Sequence, residues 1–289
     1  MSSATNILSF DIEEWFHPEI FSGKFPAHTW NSLESRVQKN TEIILNFLSR
    51  KGLKATFFFL GWVAEKYPQL VLETAREGHE IASHGYGHSM ITKLSPEEFR
   101  KDLRRSLQIL NSLSNHPVEG YRAPTFSVTK QTLWSLPIMF EEGIRYDSSV
   151  FPIYHDRYGI PDAPRKAYVI YKGEEGDIWE YPMTTVRLGN FNFPCSGGGY
   201  FRLYPFQLSL GLMRRCQREE RPIVFYAHPW EFDSGLPKVK LSLLGSVRHY
   251  RGISKFLERL NVITDHFHFT SFKDAVVGSP GALEKKYGI

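Results

Sequence analysis

The sequence predicts an α/β fold, an irregular (β/α) barrel with a cap-like insertion. Two observations predict it. Short apolar runs alternate with helical patterns along most of the chain, and the reactive side chains follow the apolar runs. Strands that alternate with helices imply parallel βαβ units, and about eight of them favour a barrel over an open sheet. In such barrels the chemistry lies at the carboxyl ends of the strands.

Short apolar runs bounded by turn residues mark the candidate strands. Acidic, basic or imidazole side chains stand at the end of several of them, which is the pattern expected of a barrel with one functional mouth. The candidate strands are Ile7–Ile12, Ala55–Leu60, Glu80–Ser83, Gly120–Ala123, Ile144–Tyr146, Ile178–Pro182, Ile223–His228 and His268–Ser271.

Helical patterns of about three to five turns lie between these runs. One of them begins at Ser95, with Pro96 at the first helical position and Glu98 completing a capping box. The other predicted helices cover about Asn31–Lys51, Pro205–Glu219 and Gly245–Asn261.

The chain of 289 residues is interpreted as a single domain, 1–289. Its core covers about residues 5–150 and 222–275. The segment of about 151–221 breaks the alternation and is rich in Tyr, Pro and Gly, including PCSGGGYFRLYP. We expect this segment to be an insertion that covers the barrel mouth.

Composition excludes some classes of protein. The net charge is only +4 and no dense Lys/Arg stripe occurs, so nucleic acid is not an expected partner. Cys195 and Cys216 lie in no CxxC pattern, which predicts two free thiols in a reducing compartment. The first residues lack the basic and apolar regions of a signal peptide, and no run approaches the roughly 20 apolar residues of a membrane helix. The expected location is cytoplasmic, with no transmembrane segment.

The stretch SFDIEEWF crowds three acids against aromatic residues at the end of the first strand. Asp11 and Glu13 share one face of that strand, and Glu14 points the other way. Two carboxylates on one face repel each other unless a cation separates them. A bound metal ion would do this, although a pair of solvated acids at a strand end fits the same pattern.

The stretch SHGYGH supplies two histidines at a spacing of i and i+4. His84 and His88 could reach one ion, and Gly85 and Gly87 favour a tight turn over a regular helix. Alone, this spacing also fits two ordinary loop histidines. Joined to a carboxylate from the first strand, it predicts a metal site with positions left open for water and substrate.

Three further residues stand at strand ends. Arg122 in GYRAPTFS could pair with a catalytic carboxylate or form a surface salt bridge. Asp147 in RYDSSVFP could orient a histidine. His228 ends the apolar run of IVFYAHPWEF, where it is either structural or a general acid.

The ordered set SFDIE, SHGYGH, YRAPTF, YDSS and FYAHP resembles the polysaccharide deacetylases of the NodB-homology type, carbohydrate esterase family 4. The resemblance covers about residues 5–150 and 222–275. It implies an irregular (β/α) barrel that removes N- or O-acetyl groups from sugars with a divalent metal ion, usually Zn²⁺. The stretches SGGGYFRLYP and HPWEFD resemble the subgroup found with bacterial exopolysaccharide loci.

The resemblance also implies which acids and imidazoles hold the metal. Glu13, His84 and His88 are the implied ligands, and Asp11 is the implied general base. Many family members have two adjacent Asp residues in the first motif, whereas this chain has Asp-Ile-Glu. Which of Asp11 and Glu13 is base and which is ligand therefore stays open, and Glu14 could substitute if the strand ends early.

The resemblance implies roles for four further residues. Arg122 resembles the residue that tunes the base, and the backbone N–H of Thr125 is the implied oxyanion donor. His228 is the implied catalytic acid, oriented by Asp147.

The implied substrate is an acetylated amino-sugar oligo- or polysaccharide of bacterial exopolysaccharide or cell-envelope metabolism. Two alternatives remain: an allantoinase-like or other amide hydrolase of the same fold, and a non-catalytic sugar-binding member. The sequence leaves the sugar, the linkage and a homo-oligomeric state open.

Overall fold

The computed structural model describes residues 5–114 and 116–277. Nine of the described strands form one sheet, and two more form a separate hairpin. The strands are β1 (Asn6–Ile12), β2 (Thr56–Phe59), β3 (Glu80–Ser83), β4 (Gly120–Tyr121), β5 (Tyr146–Asp147), β6 (Tyr168–Gly173), β7 (Gly176–Glu180), β8 (Thr185–Leu188), β9 (Phe191–Pro194), β10 (Val224–Ala227) and β11 (Phe269–Thr270).

Helices follow most of the strands, as expected for βαβ units. They are α1 (Val37–Lys51), α2 (Gly61–Lys66), α3 (Pro68–Arg76), α4 (Pro96–Leu113), α5 (Ser135–Glu141), α6 (Gly198–Leu203), α7 (Phe206–Arg218), α8 (Leu243–Tyr250), α9 (Phe256–His266) and α10 (Phe272–Val277).

The main sheet runs in the order β10–β1–β2–β3–β4–β5–β7–β6, and β11 pairs with the start of β1. Every neighbouring pair is parallel except β6 with β7, which is an antiparallel hairpin. Strand β1 lies inside this sheet and is buried along its whole length. Parallel strands that are covered on both faces read as continuous apolar runs, which is why the sequence shows them clearly.

The sheet curls into an irregular barrel. Arg122, just after β4, reaches Asp11 in β1 with a contact of 2.6 Å, although β2 and β3 lie between those strands. At a strand spacing of about 4.8 Å a flat sheet would hold them too far apart. Among the described residues β10 and β6 are not paired, so the barrel is not closed by a ladder at that seam. The predicted fold class is confirmed.

Side chains of the segment after β7 bridge this seam. Thr184 Oγ1 accepts a hydrogen bond from Val224 N at 2.7 Å, and Ser196 Oγ donates to Val224 O at 2.7 Å. On its other side, Met183 N donates to Val150 O at 3.0 Å. Residues 151–221 thus supply β6 and β7 to the main sheet as well as part of the wall above it. The division into core and insertion stays a prediction.

Two helix predictions differ from the structure. The first helix begins at Val37 and not near Asn31, because residues Ala27–Ser32 form a 3₁₀ helix and the chain then becomes extended. The last predicted helix is interrupted at Gly252, which has a φ of 81°. A Cβ there would lie 2.5 Å from the backbone oxygen of Arg202, so only glycine allows this approach. The capping box of Ser95 and Glu98 is confirmed.

The two cysteines lie in the wall formed by residues 151–221. Cys195 and Cys216 are buried free thiols whose Sγ atoms are 3.7 Å apart. No helix among the described residues combines the length and the apolar character needed to cross a bilayer.

Candidate active site

A cavity of about 390 Å³ opens at the carboxyl ends of the strands. This is the location predicted for the chemistry of a parallel barrel. Six of the residues singled out in the sequence line it together: Asp11, Glu13, His84, His88, Thr125 and His228.

The first strand separates its three acids. Asp11 and Glu13 face the cavity, as the strand period requires. Glu14 points away, and its carboxylate accepts hydrogen bonds from the Ser35 hydroxyl and, at 3.1 Å, from the backbone N–H of Arg36. Glu14 thus anchors the segment that leads into α1. It does not substitute for either of the other acids.

Glu13, His84 and His88 form a cluster in which one ligand atom from each residue lies within 4.8 Å of the others. The closest approach is 2.6 Å, between Glu13 Oε2 and His88 Nε2. The other oxygen of Glu13 accepts a hydrogen bond from Trp230 Nε1 at 3.1 Å. Asp11 is not part of this cluster. Of the two acids on the first strand, only Glu13 joins the two histidines in a group that could hold a metal ion.

The protonation states of His84 and Glu13 suit a divalent cation. Nδ1 of His84 lies 2.7 Å from the backbone oxygen of Arg122, which fixes the proton on Nδ1 and leaves Nε2 free to bind an ion. Burial lowers the pKa of His84 to about 4. Burial also opposes the charge of Glu13, but the adjacent His88 outweighs it and lowers the pKa of that carboxyl. A neutral imidazole and an ionised carboxylate are the forms that metal binding requires.

The loop between the two histidines is held by a residue that the sequence analysis missed. Asp102, on α4, accepts hydrogen bonds from Tyr86 N at 2.7 Å and from Gly87 N at 2.9 Å. Gly85 and His88 have φ angles of 73° and 52°, in the left-handed region. This region is uncommon for residues other than glycine, so the Asp102 contacts stabilise a loop shape that carries a cost in free energy at His88.

Asp11 is paired with a fully buried arginine. Arg122 Nη1 lies 2.6 Å from Asp11 Oδ1 and 2.9 Å from Ser9 Oγ. Its Nε and Nη2 donate to the backbone and the hydroxyl of Ser148, each at 3.1 Å. The guanidinium also lies over the ring of Phe58, 4.1 Å from its centroid. These contacts fix one oxygen of Asp11 and leave Oδ2 on the side of His228.

His228 lies opposite the two acids. Its Nε2 is 3.9 Å from both Asp11 Oδ2 and Glu13 Oε1. Its Nδ1 is 3.0 Å from Glu231 Oε2, and the other oxygen of Glu231 is 2.6 Å from Nε of the buried Arg202. Burial lowers the pKa of His228, but Glu231 and then Glu13 and Asp11 outweigh it and raise this pKa to about 9.

The predicted role of Asp147 in orienting His228 is wrong. Glu231 occupies the Nδ1 position, and Asp147 bonds instead with the Ser149 hydroxyl. Asp147 is fully buried at the end of β5 and lies in register with Glu180 of β7. Burial of the two neighbouring carboxyl groups raises the pKa of each, that of Asp147 to about 6. This acid pair belongs to the interior of the sheet.

Thr125 stands in a strained turn on the cavity wall. It lies in the short 3₁₀ helix Pro124–Phe126, and Thr125 and Phe126 have φ angles of 57° and 52°. Two successive non-glycine residues in the left-handed region are uncommon and carry a cost in free energy. Such strain is frequent where a backbone N–H must face a ligand.

Besides Asp102, three residues around His228 were missed in the sequence: Glu231, Arg202 and Trp230. A signal was present for the first, because His228 and Glu231 are spaced i and i+3 like a capping box, and the structure forms that box. Trp230 stacks between His228 and His249, with ring centroids 4.9 Å and 4.6 Å away. No local pattern identifies Arg202, because its partner lies 29 residues further along the chain.

Comparison with protein families gives two matches. The family described as polysaccharide deacetylase matches residues 22–137, and a domain of unknown function (DUF3473) matches residues 148–277. The chain is 37% identical over 93 residues to a peptidoglycan-N-acetylglucosamine deacetylase of Bacillus cereus, a match that covers 32% of this chain and 34% of that protein. It is 25% identical over 120 residues to a peptidoglycan deacetylase of Helicobacter pylori, 40% of each chain. The chain thus spans less than half the length of either relative.

The fold is shared over a longer stretch. A chain from Mycobacterium smegmatis described as a polysaccharide deacetylase superposes with a TM-score of 0.62 at 18% identity, covering 99% of this chain and 96% of that one. A peptidoglycan N-acetylglucosamine deacetylase gives a TM-score of 0.50 at 18% identity, with 95% and 88% covered. The matching family model over residues 22–137, the similar relatives and the shared fold support the resemblance of this chain to the polysaccharide deacetylases of the NodB-homology type.

Proposed function

We propose that the protein is a metal-dependent hydrolase that removes acetyl groups from N-acetylated amino sugars of an oligo- or polysaccharide. One observation carries the proposal. A cluster of metal-ligand type (Glu13, His84 and His88) shares its cavity with a carboxylate fixed by Arg122 and a histidine held by Glu231. A base, an acid and an electrophile site in one cavity are the requirements of amide hydrolysis.

A divalent ion held by Glu13, His84 and His88 would supply Lewis-acid polarisation of the acetyl carbonyl and a lowered pKa for the attacking water. Asp11 accepts the proton of that water on Oδ2, while Arg122 holds Oδ1 and fixes the direction of the carboxylate. The backbone N–H of Thr125 donates to the developing oxyanion, a contact whose loss commonly costs about 3–4 kcal/mol.

His228 completes the reaction as the proton donor. The sugar nitrogen must leave as an amine, so it needs a proton as the tetrahedral intermediate collapses. His228, whose pKa Glu231 raises against the opposing effect of burial, is the group of this cavity placed to hold that proton. The products are acetate and a free amino sugar.

Acetate release from N-acetylglucosamine oligomers tests the proposal, with the enzyme as purified, after chelation, and with Zn²⁺ restored. Release that stops on chelation and returns with zinc supports a zinc-dependent deacetylase. Acetate release that returns only with another divalent ion would show that this ion, and not zinc, is the cofactor. If the enzyme binds zinc stoichiometrically but releases no acetate, the result would favour a different amide substrate, such as the cyclic amides of allantoinase-like proteins. Failure to bind metal would favour a cofactor-independent or sugar-binding role.

The biological setting is a further part of the proposal. The resemblance of SGGGYFRLYP and HPWEFD supports a role in exopolysaccharide or cell-envelope glycan metabolism. The cytoplasmic location stays a prediction, which fractionation of the native host would test. Homo-oligomer formation also stays open, and light scattering of the purified chain would measure it.

A further inference from the structure

The acidic and the basic residues that line the cavity differ in how fully their charges are paired. Its acidic lining residues all have basic partners: Asp11 pairs with Arg122, Glu13 with His88, and Glu19 with Lys93 at 2.6 Å. Asp11 and Glu13 also belong to the proposed base and metal positions, so none of these acids is assigned to neutralise Arg157 or Arg248.

The basic lining residues divide into two kinds. Arg202 is buried and neutralised by Glu231. Arg157 and Arg248 stand exposed at the rim, one before β6 and the other on α8. The only ion-pair partner of Arg157 among the described residues is Asp156, at 4.0 Å, and that acid is 81% exposed. The side chain of Arg248 makes no ion pair or hydrogen bond within the described part of the chain.

Arg157 and Arg248 line the same cavity although they are far apart in sequence. Both act on the same group, His155, whose pKa is lowered by burial and then by Arg157 and Arg248 against the opposing effect of Asp156. His155 stacks on Tyr158, another residue of the cavity wall, with ring centroids 3.7 Å apart. The cavity wall thus carries two exposed guanidinium groups together with aromatic surface.

Guanidinium groups bind carboxylates and phosphates in bidentate geometry, and Arg is preferred where such groups must be recognised. We propose that the substrate carries an anionic group, a carboxylate or a phosphate, close to the acetylated sugar, and that Arg157 and Arg248 bind it. This inference rests on the proposed deacetylase function and narrows its substrate to anionic glycans. A neutral oligomer would form no ion pair with either arginine.

Three substrates of equal length test it: oligomers of N-acetylglucosamine, oligomers that alternate glucuronic acid with N-acetylglucosamine, and N-acetylglucosamine oligomers carrying phosphate esters. We expect kcat/KM for acetate release to be about tenfold higher for an anionic substrate, mainly through KM. This preference should shrink as added salt screens the charges. The two charged substrates distinguish a carboxylate from a phosphate as the recognised group.

The double variant R157Q/R248Q should lose the preference, so that charged and neutral oligomers give similar kcat/KM. R214Q is the matched control, because Arg214 is exposed on α7 and does not line the cavity. It should keep the preference. Equal kcat/KM for all three substrates with the unaltered enzyme, or a preference that survives in R157Q/R248Q, would overturn the inference.

Failure of the two proposals can be told apart. Turnover of neutral oligomers without any anionic preference overturns the inference and leaves the deacetylase function standing. If no substrate releases acetate, the function is overturned, and calorimetric titration with the same oligosaccharides decides the inference. Tighter binding of a charged oligomer that R157Q/R248Q abolishes would support it, and equal binding of all three would contradict it.

Discussion

Glu231 Oε2 lies 3.0 Å from Nδ1 of His228 and also accepts a hydrogen bond from the backbone N–H of that residue at 3.0 Å. Arg202 fixes the other oxygen of Glu231 and donates its remaining N–H groups to backbone oxygens in and after α8, including that of His249 at 2.9 Å. The proton donor is therefore held through a chain of buried, charge-assisted contacts that joins α6 to α8. Such contacts are stronger than neutral hydrogen bonds.

Replacing Glu231 by Gln should impair the donor function of His228. We expect E231Q to lower kcat for N-acetyl oligosaccharides about 100-fold, the usual contribution of general acid catalysis, with a smaller change in KM. Hydrolysis of p-nitrophenyl acetate should decline much less, because p-nitrophenolate leaves without a proton. The ratio of the two rates measures the effect, since a general loss of structure would reduce both equally.

Asp147 provides a contrast to Glu231. D147N should not reproduce the selective loss of amide turnover, because the carboxyl of Asp147 bonds with Ser149 and faces Glu180. An equal fall of both rates or a change in thermal stability would fit that position. A selective amide defect in D147N together with a normal E231Q would reverse the assignment.

The two acids of the first strand should differ in metal content. D11N should abolish deacetylation yet retain the ion, because Asp11 lies outside the cluster of Glu13, His84 and His88. E13Q should lose the ion as well as activity. Metal analysis of the two purified variants after identical zinc loading measures the difference, and an equal zinc content in both would contradict the assignment.

Asp102 should support metal binding without touching the ion. D102A removes both acceptors of the Tyr86 and Gly87 N–H groups, so the His84–His88 loop should relax. We expect zinc affinity to fall about 10- to 100-fold, the range found for outer-shell partners of metal ligands. Competition with a chromogenic chelator measures the affinity. E97Q, an exposed residue on the same helix, is the control and should bind zinc normally.

His79 should make stability depend on pH at a place far from the site. Burial and then Lys54 lower its pKa to about 4 from a model-peptide value of 6.5. The unfolded state therefore binds the proton more readily, so the contribution of neutral His79 is complete above pH 6.5 and is lost as the pH falls toward 4. Between about pH 7 and about pH 5 this loss is about 2 kcal/mol.

Urea denaturation of the unaltered protein and H79L at those two pH values isolates this contribution. The free energy of unfolding of H79L should fall by about 2 kcal/mol less than that of the unaltered chain. Other buried histidines affect both proteins equally, so they cancel in the comparison. The same pH dependence in both proteins would show that His79 titrates normally when folded.

The sequence by itself determined the fold class and most of the residues that meet at the cavity. Parallel strands buried on both faces give continuous apolar runs, and the strand period places Asp11 and Glu13 on one face. His84 and His88 are close in sequence, so a short loop suffices to bring them together. The resemblance to the polysaccharide deacetylases then predicted that these separate motifs belong to one site.

Only the tertiary structure decided which acid holds His228 and which arginines line the cavity. Asp147 and Glu231 both stand near strand ends, and the choice between them depends on how the sheet curls and where Arg202 is buried. Arg157 and Arg248 are separated by 91 positions (248 − 157) and line one cavity only because the chain path brings residues 151–221 and α8 to the same wall. Long-range charge pairing leaves no periodic trace in a single sequence, because the partners are set by the path of the chain in space.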